Sequence, residues 1–93
     1  MKNISELEAK RMLKNSGYKK TVTISFPKGN IKESHCHTFS ADIIIISGSI
    51  EVLVGDKQHN LETGDSFKLA AGIEHSEYVG KDGVTIVAAV TDN

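Results

Sequence analysis

Short runs rich in apolar residues, separated by polar turn residues, follow one another along most of this chain, from Tyr18 to Val90. The clearest runs are rich in β-branched residues and are bounded by Gly, Pro, Asn or Asp; they lie at residues 21–26, 42–46, 50–54 and 84–90. Alternation with a period of two predicts strands that bury one face. About eight short strands, with a turn every eight to twelve residues, predict an all-β sandwich or barrel.

A short helical segment precedes these strands. Ser5 is followed three residues later by Glu8, which is the pattern of a capping box, and Gly17 suits the position just after a helix. A helix of this length is marginal alone, so it must dock on the rest of the protein. We therefore expect one domain over residues 1–93, with a helical segment at 1–17 and a β-barrel at 18–93.

Four consecutive isoleucines at 43–46 predict a strand that is apolar on both faces. Such a strand must be covered on both faces. Ile44 and Ile46 share the face that points away from the barrel interior, which predicts a homodimer with these residues in its interface. The alternative is that Leu7 and Met12 of the helix cover the same surface.

Composition and charge narrow the function classes. The 93 residues include 11 basic and 12 acidic side chains, for a net charge of −1, and like charges form no long block. Neither a nucleic-acid-binding patch nor a membrane-surface helix is indicated, so we expect no nucleic-acid or membrane partner. There is no signal-peptide pattern, and the single cysteine fits a reducing compartment, which predicts a cytoplasmic protein.

Three histidines carry the candidate chemistry. On a strand, His35 and His37 point the same way, about 7 Å apart, and His75 from a neighbouring strand can close with them on one metal ion. Neutral imidazole is the commonest metal ligand, so this pattern predicts a metal site. Three imidazoles leave coordination positions open for water, a substrate or dioxygen, and they suit Zn, Fe, Ni, Cu or Co.

Glu77 lies two residues beyond His75 and shares its face on a regular strand. It is the candidate catalytic residue, as a general base or as a group that orients a ligand; the alternative is a carboxylate at the rim that meets solvent. Glu33 has the same relation to His35 and the same alternatives.

The spacing of these residues resembles two motifs of the cupin family. The first family motif, G-x5-H-x-H-x3-4-E-x6-G, corresponds to residues 29–48, and the second, G-x5-P-x-G-x2-H-x3-N, corresponds to residues 64–79. Every glycine and histidine matches, whereas Ala41, Ala70 and Val79 stand in place of Glu, Pro and Asn. The resemblance implies a double-stranded β-helix, or jelly-roll barrel, with a divalent metal on His35, His37 and His75.

The family carboxylate is missing at Ala41. Asp42 is adjacent, but it faces away on a regular strand and would need a bulge to turn inward. Family members with three histidines and no glutamate include thiol dioxygenases that use iron, which adds weight to iron without deciding the metal. Outside the motifs, His59 is predicted to be an ordinary sheet histidine opposite Val52, and Cys36 is predicted to face away from the site.

The sequence therefore predicts a metal-binding barrel that acts on, or binds, a small polar molecule. The enzyme hypotheses are a metal-dependent dioxygenase, isomerase or lyase. The alternative is a non-catalytic module that binds or senses a small ligand in a pocket lined by Ile43, Ile45 and Val79. A barrel that binds no metal is a third possibility, against which the intact His-x-His pair argues.

Overall fold

A computed structural model of the protein describes residues 3–92, so residues 1, 2 and 93 of the predicted domain lie outside the described residues. The described chain forms one helix and six strands: α1 Glu6–Asn15, β1 Val22–Phe26, β2 Ile31–His35, β3 Phe39–Val54, β4 Lys57–Glu62, β5 Ser66–Leu69 and β6 His75–Asp92. All strand pairs are antiparallel, in the order β1-β6-β3-β4, with β2 also on β6 and β5 also on β3. The predicted all-β jelly-roll barrel with a short helix at its N-terminal side is confirmed.

The helix begins where the sequence predicts it. The Glu8 backbone N–H donates to the Ser5 hydroxyl at 3.0 Å, and the Ser5 backbone N–H donates to the Glu8 carboxylate at 3.1 Å. These two bonds satisfy amides that have no partner within the helix. At the other end Gly17 adopts a φ of 104° directly after the C-cap residue, Ser16.

Two long strands replace several of the short ones that the sequence predicts. β3 and β6 run through positions where the sequence pattern indicated breaks, and they pair with each other along most of their length. The predicted break at residues 47–48 is instead a place where the register shifts, between Ile45 and Ser47 and again between Gly48 and Ile50. Because such shifts bend a strand without ending it, β3 continues through residues 47–48 as one strand.

Gly48 shows why a glycine is required at this bend. Its φ is 75°, and a Cβ built on it would lie 1.9 Å from the carbonyl oxygen of Gly83 on β6. No side chain fits in that space, so β3 and β6 can approach this closely only if residue 48 is glycine.

The helix covers the outer face of the β3–β6 pair. Ala9 and Leu13 pack with Ile44 in a buried cluster, completed by Val87 and Ala89, and Ile44 is only 2% exposed. The expectation that a second subunit covers Ile44 is therefore wrong, because the protein's own helix does so. Ile46, the other residue of the expected interface, packs against the same cluster and stays partly exposed. The covering residues also differ from the predicted Leu7 and Met12, which remain exposed. The homodimer remains a prediction, but the need to cover Ile44 no longer supports it.

The inner face of the sheet forms the main core. Its buried members are apolar and come from the central strands: Ile45, Ile50, Val52, Leu61, Val79, Val84, Ile86 and Ala88. Towards the ends of β2 and β6 that carry the histidines, the interior opens into a cavity of about 310 Å³. No helix among residues 3–92 has the length and apolar character needed to cross a membrane.

Candidate metal centre

The structure brings the three predicted histidines together. His35 is the last residue of β2 and pairs across the sheet with His75, the first residue of β6. His37 lies beyond the end of β2, in the connection to β3, and not on the same strand as His35 as predicted. Ring centroids are 4.9 Å apart for His35 and His37, and 4.3 and 5.3 Å from these two to His75. The nearest ring nitrogens of the three all lie within 4.8 Å of one another, close enough to hold a metal ion.

Backbone carbonyls fix how two of these rings are oriented. The Nδ1 atom of His35 lies 2.6 Å from the carbonyl oxygen of Glu33, and the Nδ1 atom of His75 lies 3.1 Å from that of Ile73. A carbonyl oxygen only accepts, so each Nδ1 donates to it when Nδ1 carries the ring proton. In the neutral ring the lone pair is then on Nε2, which is the arrangement typical of a histidine that binds a metal.

Glu77 places a carboxylate beside these lone pairs. Its Oε2 lies 3.1 Å from Nε2 of His75 and 3.8 Å from Nε2 of His35. Glu77 is largely buried, and the His75 side chain is fully buried. When Nε2 of His75 carries a proton it donates to this carboxylate, and a metal cation can take the place of that proton. The donor set therefore fits a bound cation. Glu33, the other predicted carboxylate, is exposed and contributes only its backbone carbonyl.

Electrostatics keep the third ring in the form that binds metal. Burial lowers the pKa of His37 below its ordinary value, and the neighbouring His35 and His75 lower it further. At neutral pH His37 is therefore uncharged and has a lone pair to donate. Phe39 stacks on this ring, with centroids 4.7 Å apart, and holds it at the cavity wall.

The cavity beside the histidines is mainly apolar. It is lined from five strands, by Val22, Ile24, Phe26, Lys32, His35, His37, Phe39, Ala41, Ile43, Ile50, Val52, Phe67, Leu69, Glu77, Ile86, Ala88 and Val90. Of the three residues predicted to line it, Ile43 does so. Ile45 and Val79 instead belong to the buried core below it.

The missing carboxylate is not replaced by its neighbour on β3. Ala41 lines the cavity, so its position faces the site as the motif implies. β3 keeps a regular register from Phe39 to Ile45, which leaves Asp42 on the opposite face. The bulge that would turn Asp42 inward is absent from this stretch, and Asp42 does not line the cavity.

Two other predicted residues lie outside the site. His59 pairs with Val52, as predicted, and packs against the ring of Phe67 with centroids 4.8 Å apart. It does not line the cavity. Cys36 is exposed and unpaired.

Sequence reasoning missed Lys32, which lines the cavity. Strict alternation from His35 places Glu33 inside and Lys32 outside. The register shifts between Lys32 and His35: two residues of β2, Glu33 and Ser34, lie opposite the single residue Ser76 of β6. This extra residue turns Lys32 inward, and no residue type in the sequence signals it.

Comparisons with known proteins identify the fold family. Residues 22–89 match the family model of the cupin domain, and the chain belongs to the cupin family. Curated proteins provide no match.

Solved structures show the same fold. The chain is similar to a conserved protein of unknown function from Streptococcus pyogenes, with 22% identity over 78% of this chain and 63% of that one, at a TM-score of 0.70. It is similar to an RmlC-like cupin from Shewanella frigidimarina, with 27% identity over 75% and 63% of the two chains and a TM-score of 0.65. It is also similar to the DMSP lyase DddQ from Ruegeria pomeroyi, with 19% identity over 78% and 38% and a TM-score of 0.71. The chain thus spans less than two thirds of the length of each of these proteins.

Proposed function

We propose that His35, His37 and His75 hold one divalent metal ion, and that the protein acts on a small molecule in the adjoining cavity. The observation that carries this proposal is the orientation of His35 and His75. Their Nδ1 atoms face backbone carbonyl oxygens, and both Nε2 atoms lie within 4.0 Å of the Glu77 carboxylate, where they can bind one metal ion. Zn, Fe, Ni, Cu and Co all suit imidazole ligands, and any of them fits this donor set.

Glu77 is the proposed catalytic residue. A divalent ion at the histidines would polarise an oxygen atom of the substrate as a Lewis acid. Glu77 Oε2, 3.1 Å from the His75 ring, is the group that would take a proton from the substrate and return it. Isomerisation and elimination use such a base, whereas dioxygen-dependent cleavage does not require one, so Glu77 favours an isomerase or a lyase.

The alternative function is a non-catalytic module that binds or senses a small ligand. The apolar lining of the cavity favours it, because few polar groups are available to promote a reaction. Proton exchange separates the two functions. Candidate ligands incubated with the metal-loaded protein in deuterated water should gain deuterium at carbon if Glu77 acts as a base, and none should do so if the module only binds.

Metal analysis tests the proposal directly. Protein purified without chelator should contain about one divalent ion per chain. His75→Ala should lose it, while His59→Ala, which removes a histidine outside the cavity, should retain it. Equal metal content in His75→Ala and the wild type would overturn the proposal.

A homodimer and a cytoplasmic location complete the proposal. The small size of the domain supports self-association, since a chain of 93 residues buries a limited fraction of its surface. The unpaired, exposed Cys36 supports a reducing compartment.

A further inference from the structure

The cavity combines an apolar wall with a single positive charge. Its volume of about 310 Å³ is at the lower end of the range for small-molecule sites, roughly 300–1,000 Å³. Most of the lining consists of aliphatic and aromatic side chains, among them Ile24, Phe26, Phe67 and Val90. Such a wall favours a ligand with a hydrocarbon body.

Among the described residues, 3–92, Lys32 is the one lysine or arginine that lines this cavity. Its Nζ lies 4.2 Å from the centroid of the Phe26 ring, which lines the same space. A cation over an aromatic face is stabilised there, so the ammonium group is held along the cavity wall.

Among the side chains of residues 3–91, none forms an ion pair with Lys32. No carboxylate oxygen of these residues lies within 4.0 Å of its Nζ. Glu77 is its cross-strand partner, yet the Glu77 carboxylate is directed at His75 and His35 instead. An ammonium beside an apolar cavity without a counter-ion is a place where an anionic group of a ligand gains a strong, charge-assisted hydrogen bond.

The charged groups of the site favour an anion with a single negative charge. One lysine, with no arginine in the lining, matches a single negative charge better than a phosphate dianion, which proteins usually bind with several donors. A divalent ion at the histidines would add two positive charges to the +1 of Lys32 and the −1 of Glu77. The loaded site would then carry a net charge of about +2, which favours an anionic ligand further.

We infer that the ligand of this cavity is a small monocarboxylate with a hydrocarbon body, and that Lys32 binds its carboxylate. This inference rests on the proposed function and deepens it, because it gives the substrate class of the same site. The hydrocarbon body would lie against the apolar wall, with the reacting carbon between Lys32 and Glu77.

The test compares three probes of matched shape: 3-phenylpropanoate, 3-phenylpropan-1-ol and 3-phenylpropylamine. Their dissociation constants are measured by NMR titration, once with zinc-loaded protein and once after treatment with chelator. In the wild type the dissociation constant of the carboxylate should be lower than that of the alcohol by a factor of about 10 or more, because a charge-assisted hydrogen bond stabilises a complex by at least this factor. The amine should bind weakest.

Variants assign the preference to Lys32. Lys32→Met keeps the apolar stem over Phe26 and should bind carboxylate and alcohol equally, while Lys32→Arg should keep the preference. Lys28→Met, an exposed lysine in the turn before β2, is the matched control and should behave as the wild type. A carboxylate preference that persists in Lys32→Met, or is missing from the wild type, would overturn the inference.

Failure of the metal proposal would look different. Suppose that the wild type binds no metal, but that the chelator-treated protein still prefers the carboxylate and Lys32→Met loses this preference. The metal proposal is then wrong and the carboxylate site stands. If metal binds at the histidines and no probe distinguishes Lys32→Met from the wild type, the carboxylate site is wrong and the metal proposal stands.

Discussion

The carboxylate of Glu77 lies 3.1 Å from Nε2 of His75, and the opposite nitrogen of the same ring faces the carbonyl of Ile73. One imidazole thus has an acceptor at each of its nitrogens. Because Nδ1 faces the backbone carbonyl, Nε2 is the nitrogen left to bind a cation, and a cation bound there would also contact the Glu77 carboxylate. The role of this carboxylate, as a base or as a metal ligand, is therefore the first question to test.

Glu77→Gln should separate these two roles. The substitution keeps the shape of the side chain and removes its charge and basicity. As a base, Glu77 contributes on the order of 10²-fold or more to the rate of deuterium exchange, so exchange should collapse while metal affinity changes little. Metal titration and exchange are measured on the same sample. Glu74→Gln, at an exposed position, serves as the control. A large loss of metal affinity in Glu77→Gln would instead make Glu77 a ligand.

Ala41→Glu should strengthen metal binding. Ala41 lines the cavity with His35 and His37, so a carboxylate at this position can reach the centre. An added ligand should raise the affinity for a divalent ion by about 10-fold or more. Asp42→Glu, on the opposite face of β3, should leave it unchanged. Competition with a chromogenic chelator measures both, and unchanged affinity in Ala41→Glu would show that position 41 does not face the metal.

Acid should destabilise the metal-free protein through His37. Its pKa is lowered by burial and by the neighbouring His35 and His75, so the folded state holds fewer protons than the unfolded state below about pH 6.5. The stabilisation is complete above that pH and is lost as the pH falls through the folded pKa. Urea unfolding between about pH 7.5 and pH 5 should show this loss, and His37→Gln should reduce it. An identical pH profile in the variant would contradict the prediction.

Leu13→Ala should destabilise the protein because Leu13 packs on Ile44 beneath the helix. Truncation of a buried leucine costs about 2–5 kcal/mol of unfolding free energy. Leu7→Ala, on the exposed side of the same helix, should change stability by no more than about 0.5 kcal/mol. Thermal unfolding distinguishes the two. Light scattering should give the same mass for Leu13→Ala and the wild type, and a change in mass would place the helix at a subunit interface.

Gly48→Ala should be more disruptive than Gly55→Ala. Both glycines have positive φ, at 75° and 63°, which costs alanine about 1–2 kcal/mol. Only at Gly48 would the added Cβ meet backbone, at 1.9 Å from Gly83. We expect Gly55→Ala to lose about 1–2 kcal/mol and Gly48→Ala to lose more than about 3 kcal/mol. Similar melting temperatures for the two variants would show that β3 and β6 can separate here at little cost.

Local patterns of the sequence predicted the local features correctly. The Ser5–Glu8 capping box and the glycine after the helix depend on residue type and short spacing. The convergence of the three histidines is a long-range feature, and it was predicted from the spacing of the two motifs that resemble the cupin family. The isoleucine run predicts only that some element must cover Ile44. Which element covers it depends on how the helix and strands pack together, and this cannot be predicted from the run alone. Lys32 was missed because strand alternation assumes an unbroken register, and β2 shifts its register between Lys32 and His35.

That register shift decides which ions the cavity admits. A regular β2 would turn Glu33 inward and Lys32 outward, which would set a second carboxylate near Glu77 and leave no ammonium in the lining. The same residues in the same order would then form an acidic pocket that repels carboxylates and attracts cations. The preference of this cavity for anions therefore depends on the number of residues in β2 between Lys32 and His35. Inserting or deleting one residue there would exchange the inward and outward positions and could invert that preference, although no side chain had been replaced.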